Sequence, residues 1–100
     1  MKKKSQQAKS PVRVDFSKVA VQVTFEGEPH VVDYRKDLGN AIRANTGDIG
    51  LDELAREIYF SEGPVEIPEQ YVEAILSIVR RLYIVPAQRA FEELLTVKES

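Results

Sequence analysis

The chain has 100 residues, 43% of them hydrophobic, and a formal net charge of -2 at pH 7. This length fits one globular domain and is too short for two ordinary hydrophobic cores. The absence of cysteine excludes disulfides, thiolate catalysis and cysteine-ligated metals, and no apolar run approaches the roughly 18 residues that a membrane span needs.

The first residues of the chain are basic and polar, and they contain almost nothing that a core could bury. We predict that residues 1–11 are a disordered tail and that residues 12–97 form a single domain. The positive charges of this tail belong to Lys2, Lys3, Lys4 and Lys9. Because the lysine run continues into polar residues and not into the apolar core of a signal peptide, we expect a cytoplasmic protein.

The first part of the domain has the alternation of apolar and polar residues that is typical of strands. Residues 12–16 alternate, and after a change of parity near Ser17 the alternation resumes over residues 19–25, which predicts a bulge or bend at Ser17. Residues 26–29 contain the glycine and proline of a turn. The returning strand follows at residues 31–34, so the pattern predicts an antiparallel β-hairpin.

Beyond the hairpin the apolar residues recur every three or four positions, which indicates helices. Asp33 is predicted to cap a first helix that ends near Asn45. Gly39 weakens this helix by about 1 kcal/mol relative to alanine, and we interpret it as a point of close packing. A second helix follows the capping residue Asp48, and its apolar stripe ends at Ile58.

The second half of the chain predicts one short strand and two more helices. Val65–Ile67 is predicted as a third strand that can join the hairpin, and Pro68 then begins a long helix through Tyr83. Pro86 requires a kink or a fresh start near Val85, before a final amphipathic helix. The predicted fold class is therefore α+β, with an N-terminal antiparallel β-hairpin packed on three to four α-helices.

Candidate catalytic and metal-binding residues lack the partners that such chemistry needs. His30 is the only histidine and belongs to no metal or general-base motif, so we interpret it as an exposed turn residue. The acids around Asp48 do not follow the spacing of a calcium hand. Neither a phosphate loop nor a nucleophile elbow occurs. We therefore expect no enzymatic activity, no cofactor, no metal and no small-molecule ligand.

Two aromatic and apolar sets are candidates for contacts with another protein. Tyr59 and Phe60 directly follow the buried stripe of the second helix, where an exposed pair would anchor a partner and a wrapped pair would belong to the core. Phe91 and Leu95 lie in the final helix, beyond the proline break. Docking of that helix on a second subunit would bury area that a small monomer leaves exposed.

The acidic middle of the chain bears on nucleic-acid binding. Residues 48–73 contain many acids and a single arginine, so this stretch repels polyanions. Residues 51–58 resemble the first helix of a helix-turn-helix protein, but residues 68–73 carry acids where the recognition helix would follow. A DNA-binding regulator that uses the basic tail is the alternative function, with an affinity that falls steeply with salt.

Residues 31–42, residues 54–59 and Val65–Ile67 together carry a resemblance. They are similar to segments of small uncharacterised proteins carried by prophages and mobile elements of gut bacteria. The resemblance covers most of residues 14–95, contains no motif with a known role, and implies an adaptor, an assembly factor or a small regulator. The leading hypothesis is a non-enzymatic protein-interaction or assembly domain that binds a protein partner or associates with itself as a homodimer.

Overall fold

The computed structural model describes residues 11–96. The predicted basic tail lies outside these residues except for Pro11, as does the last residue of the predicted domain. The elements in chain order are β1 (Val12–Val14), β2 (Val19–Val21), β3 (His30–Val32), α1 (Arg35–Ala44), α2 (Ile49–Tyr59), β4 (Val65–Ile67), α3 (Glu69–Leu82) and α4 (Val85–Leu95). The α+β fold class predicted from the sequence is confirmed.

The predicted β-hairpin is formed by β2 and β3, which pair antiparallel with Val19 opposite Val32. β2 is shorter than the alternation predicts, because it ends at Val21. Val23 and Phe25, expected to continue the strand, are exposed in the connection to β3. The prediction of a strand through residue 25 is therefore wrong, and those apolar side chains belong to the surface.

β4 forms where it was predicted but does not join the hairpin, since it pairs antiparallel with β1 in a separate sheet. Arg13 lies opposite Glu66 in this pair, and their side chains approach to 3.6 Å. A tight turn separates β1 from β2: Lys18 N–H donates to the Asp15 carbonyl at 3.2 Å, and the Asp15 carboxylate accepts from Ser17 N–H at 3.0 Å. This turn accounts for the change of parity in the sequence.

The starts of three helices show which of the predicted caps form. Asp48 caps α2, since its carboxylate accepts two amide hydrogens of the first turn at 2.8 and 3.3 Å. Tyr34, and not Asp33, occupies the N-cap position of α1, although the Asp33 carboxylate accepts from Arg35 N–H at 3.0 Å. Pro68 is the N-cap of α3 and precedes the first helical residue by one position.

The break predicted at Pro86 is confirmed. α3 ends at Leu82 and α4 begins at Val85, with Pro86 in the first turn, where its missing N–H has no helical partner to lose. The new helix returns along α3 and also packs on β1 and β2. Arg80 of α3 and Glu92 of α4 approach to 3.2 Å across this contact.

The core lies between the two strand pairs and the helices, and an aromatic cluster occupies one part of it. The Phe91 ring centroid lies 6.2 Å from that of Phe16, 5.0 Å from Tyr34 and 5.7 Å from Tyr83. Other fully buried side chains include Leu38, Ile42, Ile58, Ile67 and Ile75. Both halves of the chain contribute to this interior.

Phe91 and Leu95 were candidate interaction residues, and their placement requires a correction. Phe91 is 0% exposed and Leu95 is 2% exposed. The apolar stripe of α4 is covered by the strands and helices of the same chain, so these two side chains are part of the core and present no surface to a partner.

Candidate functional site

The remaining candidate pair, Tyr59 and Phe60, lies at the C-terminal end of α2. Phe60 is 67% exposed, whereas Tyr59 is half-buried. Their ring centroids are 4.7 Å apart in an edge-to-face arrangement. The structure therefore places one ring of the pair on the surface and leaves the other partly covered beneath it.

The close approach of α1 and α2 depends on Gly39. A Cβ atom at this position would lie 2.9 Å from the Ala55 carbonyl oxygen and 3.0 Å from Tyr59 Cβ. The prediction that Gly39 permits close packing is confirmed. Because the backbones of α1 and α2 are close at Gly39, the longer side chains of both helices surround a depression at this point of the surface.

This depression is an open groove of about 270 Å³, which we call the α1–α2 groove. Its floor is formed at Gly39 and Ala55. The side chains around it are Asn40, Arg43, Asp52, Arg56, Tyr59 and Phe60. The groove thus combines two aromatic rings with two guanidinium groups, one carboxylate and one amide.

Cationic side chains lie over both rings at the groove. The Arg56 guanidinium carbon is 6.0 Å from the Phe60 ring centroid, and Lys36 Nζ is 5.9 Å from that of Tyr59. These are cation–π distances. Within residues 11–96 Arg56 forms no ion pair, so its charge is available to an anionic group that enters the groove.

Asp52 supplies a carboxylate to the groove from α2, one helical turn before Arg56. Its Oδ1 atom is buried and accepts no hydrogen bond from any described residue. Arg43 Nε lies 3.7 Å away, which is an ion-pair distance but too long for a hydrogen bond. The Asp52 side chain as a whole is 35% exposed and lines the groove.

Arg43, Asp52, Arg56 and Asn40 were not predicted from the sequence as members of a protein-binding site. One signal was present, since Arg56 and Phe60 are four residues apart in one helix and therefore share a face. The position of Arg43 beside them depends on how α1 crosses α2, which the spacing of apolar residues does not specify. The groove is thus a tertiary feature.

A second exposed apolar feature lies in the connection between β2 and β3, which we call the hairpin tip (residues 22–29). Phe25 is fully exposed there, and Val23 is half-exposed. The Gln22 side-chain amide donates to the carbonyls of Thr24 at 3.0 Å and Gly27 at 2.9 Å. Gly27 has φ of 100°, a conformation that glycine adopts without strain. The tip is therefore a structured turn.

The tail candidates Lys2, Lys3, Lys4 and Lys9 lie outside the described residues. The described chain starts at Pro11, at the rim of a second and acidic groove of about 560 Å³. Its carboxylates are those of Glu53, Glu57, Glu66 and Glu69. Negative charge at this place repels a polyanion that approaches near the start of the domain.

His30 lies in β3 and is exposed. In the part of the chain that the structure describes, no group of three or more histidine, aspartate or glutamate side chains is placed to hold a metal ion. No helix between residues 11 and 96 combines the length and the apolar character required to cross a membrane.

Comparison with protein-family models, curated proteins and solved structures finds no match to this chain.

Proposed function

We propose that this chain is a small non-enzymatic protein-interaction domain whose binding surface is the α1–α2 groove. The observation that carries the proposal is Phe60, an aromatic ring 67% exposed at the rim of a groove, with Arg56 over its face. Aromatic residues and arginine are enriched at the centres of protein interfaces, where they contribute most of the binding free energy.

The polar groups of the groove favour a polypeptide as the occupant. A peptide segment offers an apolar side chain to Phe60 and Tyr59, a backbone N–H to Asp52 and a carboxylate to Arg56. All three kinds of group occur together in an acidic loop that includes an apolar residue. The groove is open on one side and shallow, so we expect a modest interface with fast dissociation.

Site-specific photo-crosslinking in cells tests the proposal. A photoreactive amino acid at position 60 is expected to give a discrete adduct with one polypeptide. The matched control is position 84, because Ile84 is similarly exposed, at 62%, but lies in the connection between α3 and α4 and not at the groove. The substitution Arg56→Glu in the position-60 protein is expected to abolish the adduct.

Equal labelling from positions 60 and 84, or no adduct from position 60, would contradict this function. The crosslinking reaction does not require the partner to be known in advance. Mass spectrometry of the adduct identifies the partner. The cytoplasmic location, the likeness to mobile-element proteins and the DNA-binding alternative stay predictions of the sequence.

A further inference from the structure

We propose that the occupant of the α1–α2 groove is the hairpin tip of a second copy of this chain, so that copies associate head to tail. This inference rests on the proposed function, because it names the partner of the same groove. Its basis is the match between the two surfaces in apolar shape and in charge.

The apolar match joins Phe25 of the tip to the rings of the groove. Phe25 is fully exposed, and Phe60 presents two-thirds of its side chain to solvent. A phenylalanine side chain buries roughly 150–250 Å² when it is covered, and pairs of rings gain a further 0.5–1.5 kcal/mol, roughly, from their mutual geometry. Contact between the two removes both exposed rings from water.

The tip is acidic, and the groove carries two guanidinium groups against the single carboxylate of Asp52. Glu26 and Glu28 flank the turn next to Phe25, and in the described part of the chain neither carboxylate forms an ion pair. The groove carries Arg56, also without an ion pair there, and Arg43, which has only the 3.7 Å contact with Asp52. Carboxylates beside the inserted ring would therefore meet guanidinium groups beside the receiving rings.

The tip is organised for insertion before it binds. Gln22 joins the two sides of the turn through its bonds to Thr24 and Gly27, and Thr24 Oγ1 donates to the Glu26 carbonyl. A turn already held in one conformation loses less entropy on binding than a flexible loop.

The proposed contact joins different surfaces of identical chains, which determines what assemblies can form. In the head-to-tail arrangement, as opposed to a reciprocal two-fold pair, each pair leaves one tip and one groove unoccupied, so further copies add until a larger ring closes or an open chain grows. One turn in one groove is a small interface. We therefore expect the average mass in solution to rise with concentration beyond that of a dimer.

Mixing two single variants of the full chain tests the head-to-tail contact. Phe25→Ala removes the inserted ring and leaves the groove intact, whereas Phe60→Ala weakens the groove and leaves the tip intact. In sedimentation velocity each variant alone is expected to be monomeric. An equimolar mixture is expected to form a dimer and nothing larger, because each dimer retains only a defective tip and a defective groove.

The matched control is Ile84→Ala, which truncates an apolar residue about as exposed as Phe60 (62% against 67%) outside both surfaces. This variant is expected to associate like the unmodified chain. Thermal unfolding of each variant verifies its fold. The inference is overturned if the unmodified chain stays monomeric at every concentration, or if the mixture of variants forms no dimer. The proposed function survives either result when position 60 crosslinks to a different protein, so the two failures are distinguishable.

Discussion

Among the side chains of the described residues, two buried polar atoms have no hydrogen-bond partner, Asp52 Oδ1 and the Tyr83 hydroxyl oxygen. Their surroundings differ. Tyr83 lies within the aromatic cluster, where burial, and then the nearby carboxylate of Asp37, raise its pKa well above the ordinary value of 10. Its phenol stays neutral inside the protein. Asp52 instead lines the α1–α2 groove, and its Oδ1 atom lies 3.7 Å from the Nε atom of Arg43.

Asp33 is an exposed carboxylate whose ionised form is stabilised by hydrogen bonds from one neighbouring residue. Arg35 approaches it through two side-chain hydrogen bonds, of 2.7 Å to Oδ2 and 3.0 Å to Oδ1, and these, with the Arg35 backbone N–H, lower the pKa of Asp33 from 3.8 to about 2. Arg35 also donates to the Ser61 carbonyl at 2.7 Å. The pair therefore links the start of α1 to the end of α2.

The lowered pKa of Asp33 predicts a loss of stability in acid. A group whose pKa is depressed in the folded state stabilises that state above the unfolded pKa, here 3.8, and the contribution disappears as the pH falls through about 2. Asp33→Asn is expected to lower the melting temperature at pH 7 and to reduce its dependence on pH between these values. Thermal unfolding followed by circular dichroism measures both effects, and parallel curves for the two proteins would refute the prediction.

At the scale of elements, the packing of α1 on α2 predicts the effect of adding one methyl group. Gly39→Ala improves the intrinsic helix propensity by about 1 kcal/mol. The new Cβ would however lie 2.9 Å from a backbone oxygen of α2, and such overpacking costs about 1–3 kcal/mol. We expect the free energy of unfolding to fall, by up to about 2 kcal/mol, because a backbone atom cannot turn aside as a side chain can.

Urea denaturation measures this change, and Gly47→Ala is the matched control, since a Cβ at Gly47 would meet no atom within 4 Å. The control is expected to be as stable as the unmodified chain or slightly more stable. An increase in stability for Gly39→Ala would mean that α1 and α2 separate without cost, and the groove would then have no fixed floor.

The helices and strands also differ in how far the sequence pattern alone predicts them. Helices repeat their apolar spacing over several turns, and caps and breaks such as Asp48 and Pro86 act within a few residues, so α2, α3 and α4 follow from local information. Strands of three residues repeat too little to fix their partners, which is why the pairing of β4 with β1 and the exposure of Phe25 were not foreseen. An apolar stripe such as that of Phe91 also does not specify whether its own chain or another covers it.

At the scale of the whole molecule, the proposed assembly combines an apolar contact with ion pairs. The two contributions differ in how they depend on salt concentration. The Debye length is about 10 Å at 0.1 M salt and about 3 Å at 1 M, so interactions of Glu26 and Glu28 with Arg43 and Arg56 at an exposed rim weaken as salt is added. Contact between Phe25 and Phe60 does not depend on ion screening.

Self-association is therefore expected to weaken, but not to vanish, when salt rises from roughly 0.05 M to roughly 0.5 M. Sedimentation velocity at matched protein concentrations measures the change in average mass. Arg56→Glu is expected to show weak association at both salt concentrations, because its groove repels the acidic tip at low salt. If association strengthens with salt, the contact is governed by apolar burial alone, and the pairing of acidic tip with basic groove is wrong.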